Sequence, residues 1–84
     1  MRPKVKVHLW SALRRHTEGA EVVEVEAATT GQLLEALKAA YPGLTPVIEA
    51  GVSVAIDGRI YATSLTQPVA PENEIFILQR IKGG

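Results

Sequence analysis

Apolar residues recur at every second position in two short segments near the start of the chain. In the first segment, Val5, Val7 and Leu9 are separated by polar residues, and a period of two is typical of a strand with one buried face. Residues 21–26 alternate in the same way. The pattern therefore predicts two strands, which we expect to pair as an antiparallel hairpin.

The outer faces of these two strands carry opposite charges. Glu24 and Glu26 lie on the outer face of the second strand, within reach of Lys4 and Lys6 across the hairpin. We interpret the acidic residues as the solvent face of a strand and not as a carboxylate pair for acid–base catalysis. The ten residues between the two segments are too many for a tight turn, and residues 11–15 are compatible with a short helical turn.

A change to helical spacing marks the middle of the chain. Thr29, followed three residues later by Gln32, forms a capping box that starts a helix. The apolar residues that follow at helical spacing are Leu33, Leu34, Leu37, Ala40 and Tyr41. Pro42-Gly43 ends this periodicity. The sequence therefore predicts one amphipathic helix, whose apolar side we assign to the core, and then a loop over residues 42–51.

Three further strands complete the predicted elements. Residues 52–56 alternate up to Asp57-Gly58, a dipeptide that suits a type I′ turn, so a second hairpin closes through residues 59–61. Residues 74–78 are apolar on both sides, which is typical of a strand in the middle of a sheet or beside a parallel neighbour. With the short strand at residues 59–61 set aside, the order ββαββ predicts an α+β fold, the β-grasp, in which the first and last strands of a mixed sheet pair in parallel beneath one main helix.

One side of the last strand is predicted to lie on an uncovered face of the sheet. If Ile75 and Ile77 face the helix, Phe76 and Leu78 emerge on the open face. The aromatic residues expected nearby are His8 and Trp10. Such an apolar patch suits the docking of a partner protein, although the loop after the helix or self-association would cover it equally well.

Charge and cysteine content exclude several functions. Nine Lys and Arg residues balance nine Asp and Glu residues, so no overall field directs the chain to nucleic acid or to an anionic membrane. Because the sequence has no cysteine, it can form no disulfide, thiolate metal site, thiol nucleophile or cysteine-ligated iron–sulfur cluster. His8 and His16 have no paired acidic ligand nearby, so we expect no metal site.

Recognisable catalytic and targeting motifs are missing as well. The serines lie in no nucleophile elbow and the glycines form no phosphate-binding loop. The N-terminal residues lack the apolar region of a signal peptide, and no segment approaches the length of a membrane span. We therefore expect a single cytoplasmic domain over residues 1–84 that is not an enzyme and binds no cofactor.

The sequence ends in Gly83-Gly84, preceded by Gln79-Arg80-Ile81-Lys82. At an average glycine usage of about 7%, two glycines would occupy both final positions in roughly 0.5% of sequences. Glycine has no Cβ, so such an end can thread a narrow channel and adopt backbone angles that other residues avoid. We expect residues 79–84 to form a flexible C-terminal tail whose terminal carboxylate is the functional group.

Together, these motifs resemble the ubiquitin-like sulfur carriers of the MoaD/ThiS family, whose small β-grasp members end in Gly-Gly. The resemblance extends over nearly the whole chain, and the order of the motifs is more specific than any one of them. The matching segments are residues 5–10 with Leu13-Arg14, residues 29–37, residues 54–58, Asn73-Glu74-Ile75 and Gly83-Gly84.

The resemblance implies that Gly84 is the reactive residue. In this family a ubiquitin-activating-like partner enzyme adenylates the terminal glycine with ATP and Mg²⁺, and a persulfide-derived sulfur then replaces AMP to give a thiocarboxylate. Gly83 would give the terminus access to that enzyme, and Arg80, Ile81 and Lys82 would contact it. The expected second partner is a sulfur-accepting enzyme such as the large subunit of molybdopterin synthase.

The tail departs from the family pattern in one respect. MoaD tails commonly carry prolines before a small residue and Gly-Gly, whereas residues 79–82 alternate basic and bulkier side chains, as the tail of ubiquitin does. Molybdopterin biosynthesis is our first hypothesis for the pathway. A thiamine-type or other sulfur carrier, a ubiquitin-like protein modifier and a non-catalytic β-grasp adaptor remain as alternatives.

Overall fold

The structure is a computed structural model and describes residues 2–61 and 65–79. Within these ranges the strands are β1 (Lys4–Leu9), β2 (Val22–Glu26), β3 (Val52–Ile56), β4 (Arg59–Tyr61) and β5 (Ile75–Gln79). The α-helices are α1 (Thr30–Ala40) and α2 (Thr45–Ala50). Two 3₁₀ helices occupy Ser11–Thr17 and Pro42–Leu44.

The strands form one mixed sheet in the order β2-β1-β5-β3-β4. β1 and β5 pair in parallel at its centre, and the other neighbouring strands are antiparallel. This topology confirms the predicted β-grasp. In the first hairpin Lys4 lies opposite Glu26 and Lys6 lies opposite Glu24, so the charge pattern predicted the register correctly.

Helix α1 covers one face of the sheet and encloses the core. Leu33 and Leu37 are completely buried and belong to the same apolar cluster as Ile75 and Ile77 of β5. Strand β1 contributes Val5, Val7 and Leu9 to this cluster. The predicted inward faces of the helix, the first strand and the last strand therefore meet in one core.

The start of α1 is capped almost as the sequence predicts. The Thr29 hydroxyl accepts a hydrogen bond from the backbone N–H of Gln32 at 3.2 Å. The Gln32 side-chain oxygen accepts from the N–H of Ala28 at 2.8 Å, one residue earlier than in a standard capping box. Both side chains thus fix the direction in which the chain enters the helix.

Two connections contain more regular structure than the sequence predicts. The short turn expected over residues 11–15 is a 3₁₀ helix extending to Thr17. The prediction of a loop over residues 42–51 is wrong, because a 3₁₀ helix and α2 occupy this segment. Pro42 and Pro46 lie in the first turn of these helices, where a missing N–H leaves no hydrogen bond unmade. The segment packs against α1, so it does not cover the open face of the sheet.

The turn between β3 and β4 is tied to the chain before β5. Asp57 and Gly58 both have positive φ, of 50° and 87°, as a type I′ turn requires. The Asp57 carboxylate accepts hydrogen bonds from the Asn73 side-chain amide at 2.7 Å and from the Glu74 backbone N–H at 2.8 Å. This carboxylate therefore holds the start of β5 beside the hairpin.

We expect Asp57→Ala to lower the free energy of unfolding by about 1–3 kcal/mol, because it removes two charge-assisted hydrogen bonds and leaves their donors to solvent. Urea unfolding followed by circular dichroism measures the change. Glu72→Ala is the matched control, since Glu72 is an exposed acidic residue nearby. Equal stability of the two variants would contradict this role of Asp57.

Candidate functional site

An apolar row crosses the open face of the sheet from one edge to the other. The strand register places His8 opposite Val22 on one side and opposite Phe76 on the other. Phe76 lies opposite Ala55, and Ala55 lies opposite Ile60. We call these five residues the sheet stripe. Since one residue comes from each strand, the sheet topology itself assembles the stripe.

The middle of the sheet stripe is ordered by an aromatic contact. The rings of His8 and Phe76 stack with their centroids 4.5 Å apart and their planes 22° from parallel. Phe76 is still 37% exposed, while Ala55 beside it is buried. A stacked, partly exposed aromatic side chain presents apolar area without having to be ordered on binding, which favours protein–protein contact.

The two residues at the ends of the sheet stripe are more exposed than those at its centre. Val22 is 42% exposed and Ile60 is 64% exposed. Leu78 is half-buried and lies opposite Ser53 of β3, which is buried. Trp10, which the sequence analysis placed near this patch, is half-buried and packs against the core cluster. The prediction that Phe76 and Leu78 emerge on the open face therefore agrees with the register, with His8 as their aromatic neighbour.

Charged residues border the sheet stripe along the first hairpin. Lys6 and Glu24 occupy the neighbouring row, and Lys4 and Glu26 occupy a further row on the same face. The opposite charges balance within each row. The open face thus combines an apolar band with a neutral, polar margin, as do the cores and rims of protein–protein interfaces.

The predicted reactive residues follow directly from the strand that carries Phe76. Gln79 is the last residue of β5 and pairs with Val52. Arg80, Ile81, Lys82, Gly83 and Gly84 lie outside the described residues. Five residues span at most about 18 Å when extended. A protein that binds the open face therefore has the end of the sequence within short reach.

The part of the chain that the structure describes holds no cluster of metal-ligating side chains. Among residues 2–61 and 65–79, no three His, Asp or Glu side chains lie close enough together to hold a metal ion. The described helices also include none with the length and apolar character of a membrane span. What the structure does offer is a partly exposed apolar band on the open face of the sheet, on the strand that precedes the terminal segment in the sequence.

Comparisons with known proteins define the class. The fold matches the solution structure of small archaeal modifier protein 1 from Methanosarcina acetivorans, with a TM-score of 0.80, 24% identity, and coverage of 100% of this chain and 99% of that one. A structure of an Amycolatopsis orientalis BexX/CysO complex matches with a TM-score of 0.73, 23% identity and coverage of 95% and 99%. A proposed molybdopterin converting factor subunit 1 from Pyrococcus furiosus matches with a TM-score of 0.77, 20% identity and coverage of 94% and 99%.

These similarities establish the fold, and the family follows from the sequence. Fold and open sheet face together define a ubiquitin-like β-grasp protein. The model of the ThiS family matches residues 7–84. The chain belongs to the ThiS family and is a ubiquitin-like protein of the ThiS/MoaD sulfur-carrier and modifier type. Among curated proteins, no sequence gives a significant match.

Proposed function

We propose that this protein carries sulfur as a thiocarboxylate on Gly84 and delivers it in molybdopterin biosynthesis. The observation that carries the proposal is the ThiS-family match, which extends to residue 84 and so includes Gly83-Gly84. Small proteins of this family generally act as carriers. In this proposal, the side chains that perform catalysis belong to partner enzymes.

The chemistry requires activation because a carboxylate is a poor electrophile. The Gly84 carboxylate attacks the α-phosphorus of ATP on the activating enzyme, where Mg²⁺ neutralises the phosphates, and pyrophosphate leaves. A persulfide sulfur then attacks the acyl carbon and AMP leaves. The product is an acyl disulfide that links Gly84 to the enzyme. A second enzyme thiol attacks the enzyme's sulfur in this disulfide, so that the S–S bond breaks, the thiocarboxylate leaves and the two enzyme sulfurs are joined in a disulfide. The carrier is regenerated as a carboxylate when the sulfur is delivered.

The composition of the terminal residues suits this reaction. Gly83 and Gly84 have no Cβ, so they can enter a narrow channel and bring the last carbonyl to ATP. The preceding residues can be captured as an added strand by backbone hydrogen bonds. Arg80 and Lys82 then meet acidic groups on the enzyme, which favours rapid and specific association.

The sheet stripe is the proposed docking surface for the activating enzyme. We expect Phe76→Ser to weaken binding at least about tenfold, equal to about 1.4 kcal/mol, because the variant removes the aromatic centre of the interface. Isothermal titration calorimetry with the activating enzyme measures the affinity. Ala39→Ser is the matched control, since Ala39 is an exposed apolar residue of α1, on the helix side. Similar affinities of the two variants would contradict docking through the stripe.

The molybdopterin pathway is supported by the length and helix region of the sequence and by the structural similarity to the Pyrococcus furiosus protein. Its test is reconstitution of sulfur transfer from the purified thiocarboxylate. We expect the large subunit of molybdopterin synthase to consume the thiocarboxylate and a thiazole-forming synthase to leave it intact. The reverse preference would assign the carrier to the thiamine pathway.

A second candidate function is covalent modification of other proteins. It is favoured by the match to small archaeal modifier protein 1 over the whole chain and by the basic residues before Gly83-Gly84. Trypsin cleaves after Lys82, so a conjugate would leave Gly-Gly on the modified lysine of the target. Mass spectrometry of digested cell extract detects this remnant, and its disappearance after deletion of residues 83–84 would establish the conjugate.

The sulfur-carrier chemistry itself is tested by intact mass. The protein is incubated with the activating enzyme, ATP, Mg²⁺ and a persulfide donor. We expect its mass to rise by the difference between a sulfur and an oxygen atom, and only when ATP is present. An unchanged mass with an enzyme that forms the adenylate would contradict sulfur transfer, and failure to form the adenylate would contradict the activation step.

A further inference from the structure

A second surface feature lies on the opposite side of the molecule from the sheet stripe. An apolar groove of about 350 Å³ runs between α1, α2 and Leu65. Its lining residues are Gly31, Leu34, Glu35, Lys38, Ile48, Glu49 and Leu65. A cavity of roughly 150 Å³ accommodates a benzene-sized group, so this groove has room for a large aliphatic side chain. We call it the helix groove.

The floor of the helix groove depends on a close backbone approach. The N–H of Gly31 donates to the carbonyl oxygen of Leu65 at 2.8 Å. A Cβ at residue 31 would lie only 2.8 Å from the same oxygen, so a side chain here would push Leu65 away. Leu65 remains 58% exposed, although Gly31 holds its backbone. The groove therefore presents a fixed but uncovered apolar surface.

The rim of the helix groove is acidic overall. The Lys38 Nζ atom lies 2.6 Å from the Glu35 Oε2 atom in an ion pair. The hydrogen bond to Glu35 raises the pKa of Lys38, and the negative charges of Glu35 and Glu49 raise it further, whereas desolvation lowers it. Lys38 is therefore a cation at neutral pH and offsets the charge of Glu35. Glu49 has no ion-pair partner among the described residues. The groove thus suits an apolar side chain flanked by cations.

The segment that follows β5 has this chemistry and begins nearby. Arg80-Ile81-Lys82 places one aliphatic side chain between two cations. Gln79, immediately before it, pairs with Val52, and Val52 is three positions after Glu49 in the sequence. Paired strands lie about 5 Å apart and three residues span at most about 11 Å, so Gln79 lies within about 16 Å of Glu49. Residues 80–82 and their long side chains cover this distance.

We propose that the helix groove binds the protein's own residues 80–82 in cis, with Ile81 on the apolar floor and its basic neighbours against the acidic rim. This contact goes beyond the sulfur-carrier function. It places the terminal segment on the helix side, while the activating enzyme docks on the sheet stripe. Transfer of the segment out of the groove then accompanies engagement of the enzyme.

Nuclear magnetic resonance of the isolated protein tests this contact without any enzyme or ATP. The full chain is compared with a variant that ends at Gln79. We expect the methyl signals of Leu34 and Leu65 to differ between the two, and nuclear Overhauser effects to link these methyls to Ile81. The signals of Ile75 and Ile77 report that the core is intact in both proteins.

Matched substitutions separate docking from a general effect of truncation. Ile81→Ser keeps both cations and should move the groove signals to their positions in the truncated variant, whereas Val22→Ser on the sheet stripe should leave them in place. Glu49→Gln should weaken the contact, as should high salt.

Identical groove signals in the full and truncated chains would overturn the proposal. Shifts that grow with protein concentration would also overturn it, because they would assign the groove to a second copy.

The outcome is independent of the sulfur chemistry. If the groove signals do not depend on residues 80–82, the contact in the groove is refuted, but the expected mass change on Gly84 is unaffected. If Gly84 accepts no sulfur, the groove signals still decide whether the segment docks.

Discussion

Replacing Gly84 by alanine is expected to reduce thiocarboxylate formation at least about 100-fold, equal to about 2.7 kcal/mol of transition-state stabilisation. The added methyl group lies next to the reacting carbonyl, inside a channel that the proposal requires to be narrow. A displacement of about 1 Å between reacting atoms costs roughly this factor in rate. The rate is measured from intact mass after quenching the reaction with the activating enzyme.

The fold of this variant should be unaffected because residue 84 lies beyond the last strand. Its melting temperature therefore serves as an internal control, and Glu72→Ala, at an exposed position, serves as a substitution control with full activity. An alanine variant that forms the thiocarboxylate as fast as the native protein would show that the absence of a side chain at residue 84 is not required.

Replacing Leu37 by alanine is expected to lower the free energy of unfolding by about 2–5 kcal/mol, since Leu37 is completely buried and the substitution leaves a cavity. A chain of this length has a total stability of about 4–13 kcal/mol. We expect the melting temperature to fall by at least about 8 °C. Differential scanning calorimetry measures the shift.

Leu65→Ala makes the same chemical change at a position that is 58% exposed. It should alter stability by no more than about 0.5 kcal/mol. Equal destabilisation by the two substitutions would contradict the position of Leu37 in the core beneath α1.

Most of the sheet could be predicted because each strand has a clear period or a turn signal. The alternation of Val5, Val7 and Leu9 gave the inward face of β1, and Asp57-Gly58 gave the second hairpin. The parallel pairing of β1 with β5 followed from connectivity, since one main helix that follows the first hairpin must cover one face of a single mixed sheet. These are local or topological constraints, which a sequence expresses directly.

Residues 42–51 could not be assigned correctly because their signal is ambiguous. Pro42 and Pro46 mark either a loop or the first turn of a helix. Leu44 and Ile48 are buried on the helix side, four residues apart as in one helical stripe. Their spacing was the available signal, but tertiary contact with α1 decides between the two structures.

The candidate site was predicted in part. Phe76 and Leu78 were assigned to the open face, whereas Val22 and Ile60 were missed because membership of the sheet stripe depends on register across all five strands. The type I′ turn at Asp57-Gly58 does place Ile60 opposite Ala55, so this contact could have been found. The helix groove depends on α2 and therefore could not be predicted from the loop assignment.

The central claim is that sulfur is carried on the carboxyl group of Gly84, and tandem mass spectrometry of the loaded, full-length protein tests it most directly. After incubation with the activating enzyme, ATP, Mg²⁺ and a persulfide donor, fragments containing residue 84 should carry the oxygen-to-sulfur mass change. Every fragment that ends before residue 84 should have its unmodified mass. Sulfur located on any other residue would contradict the account.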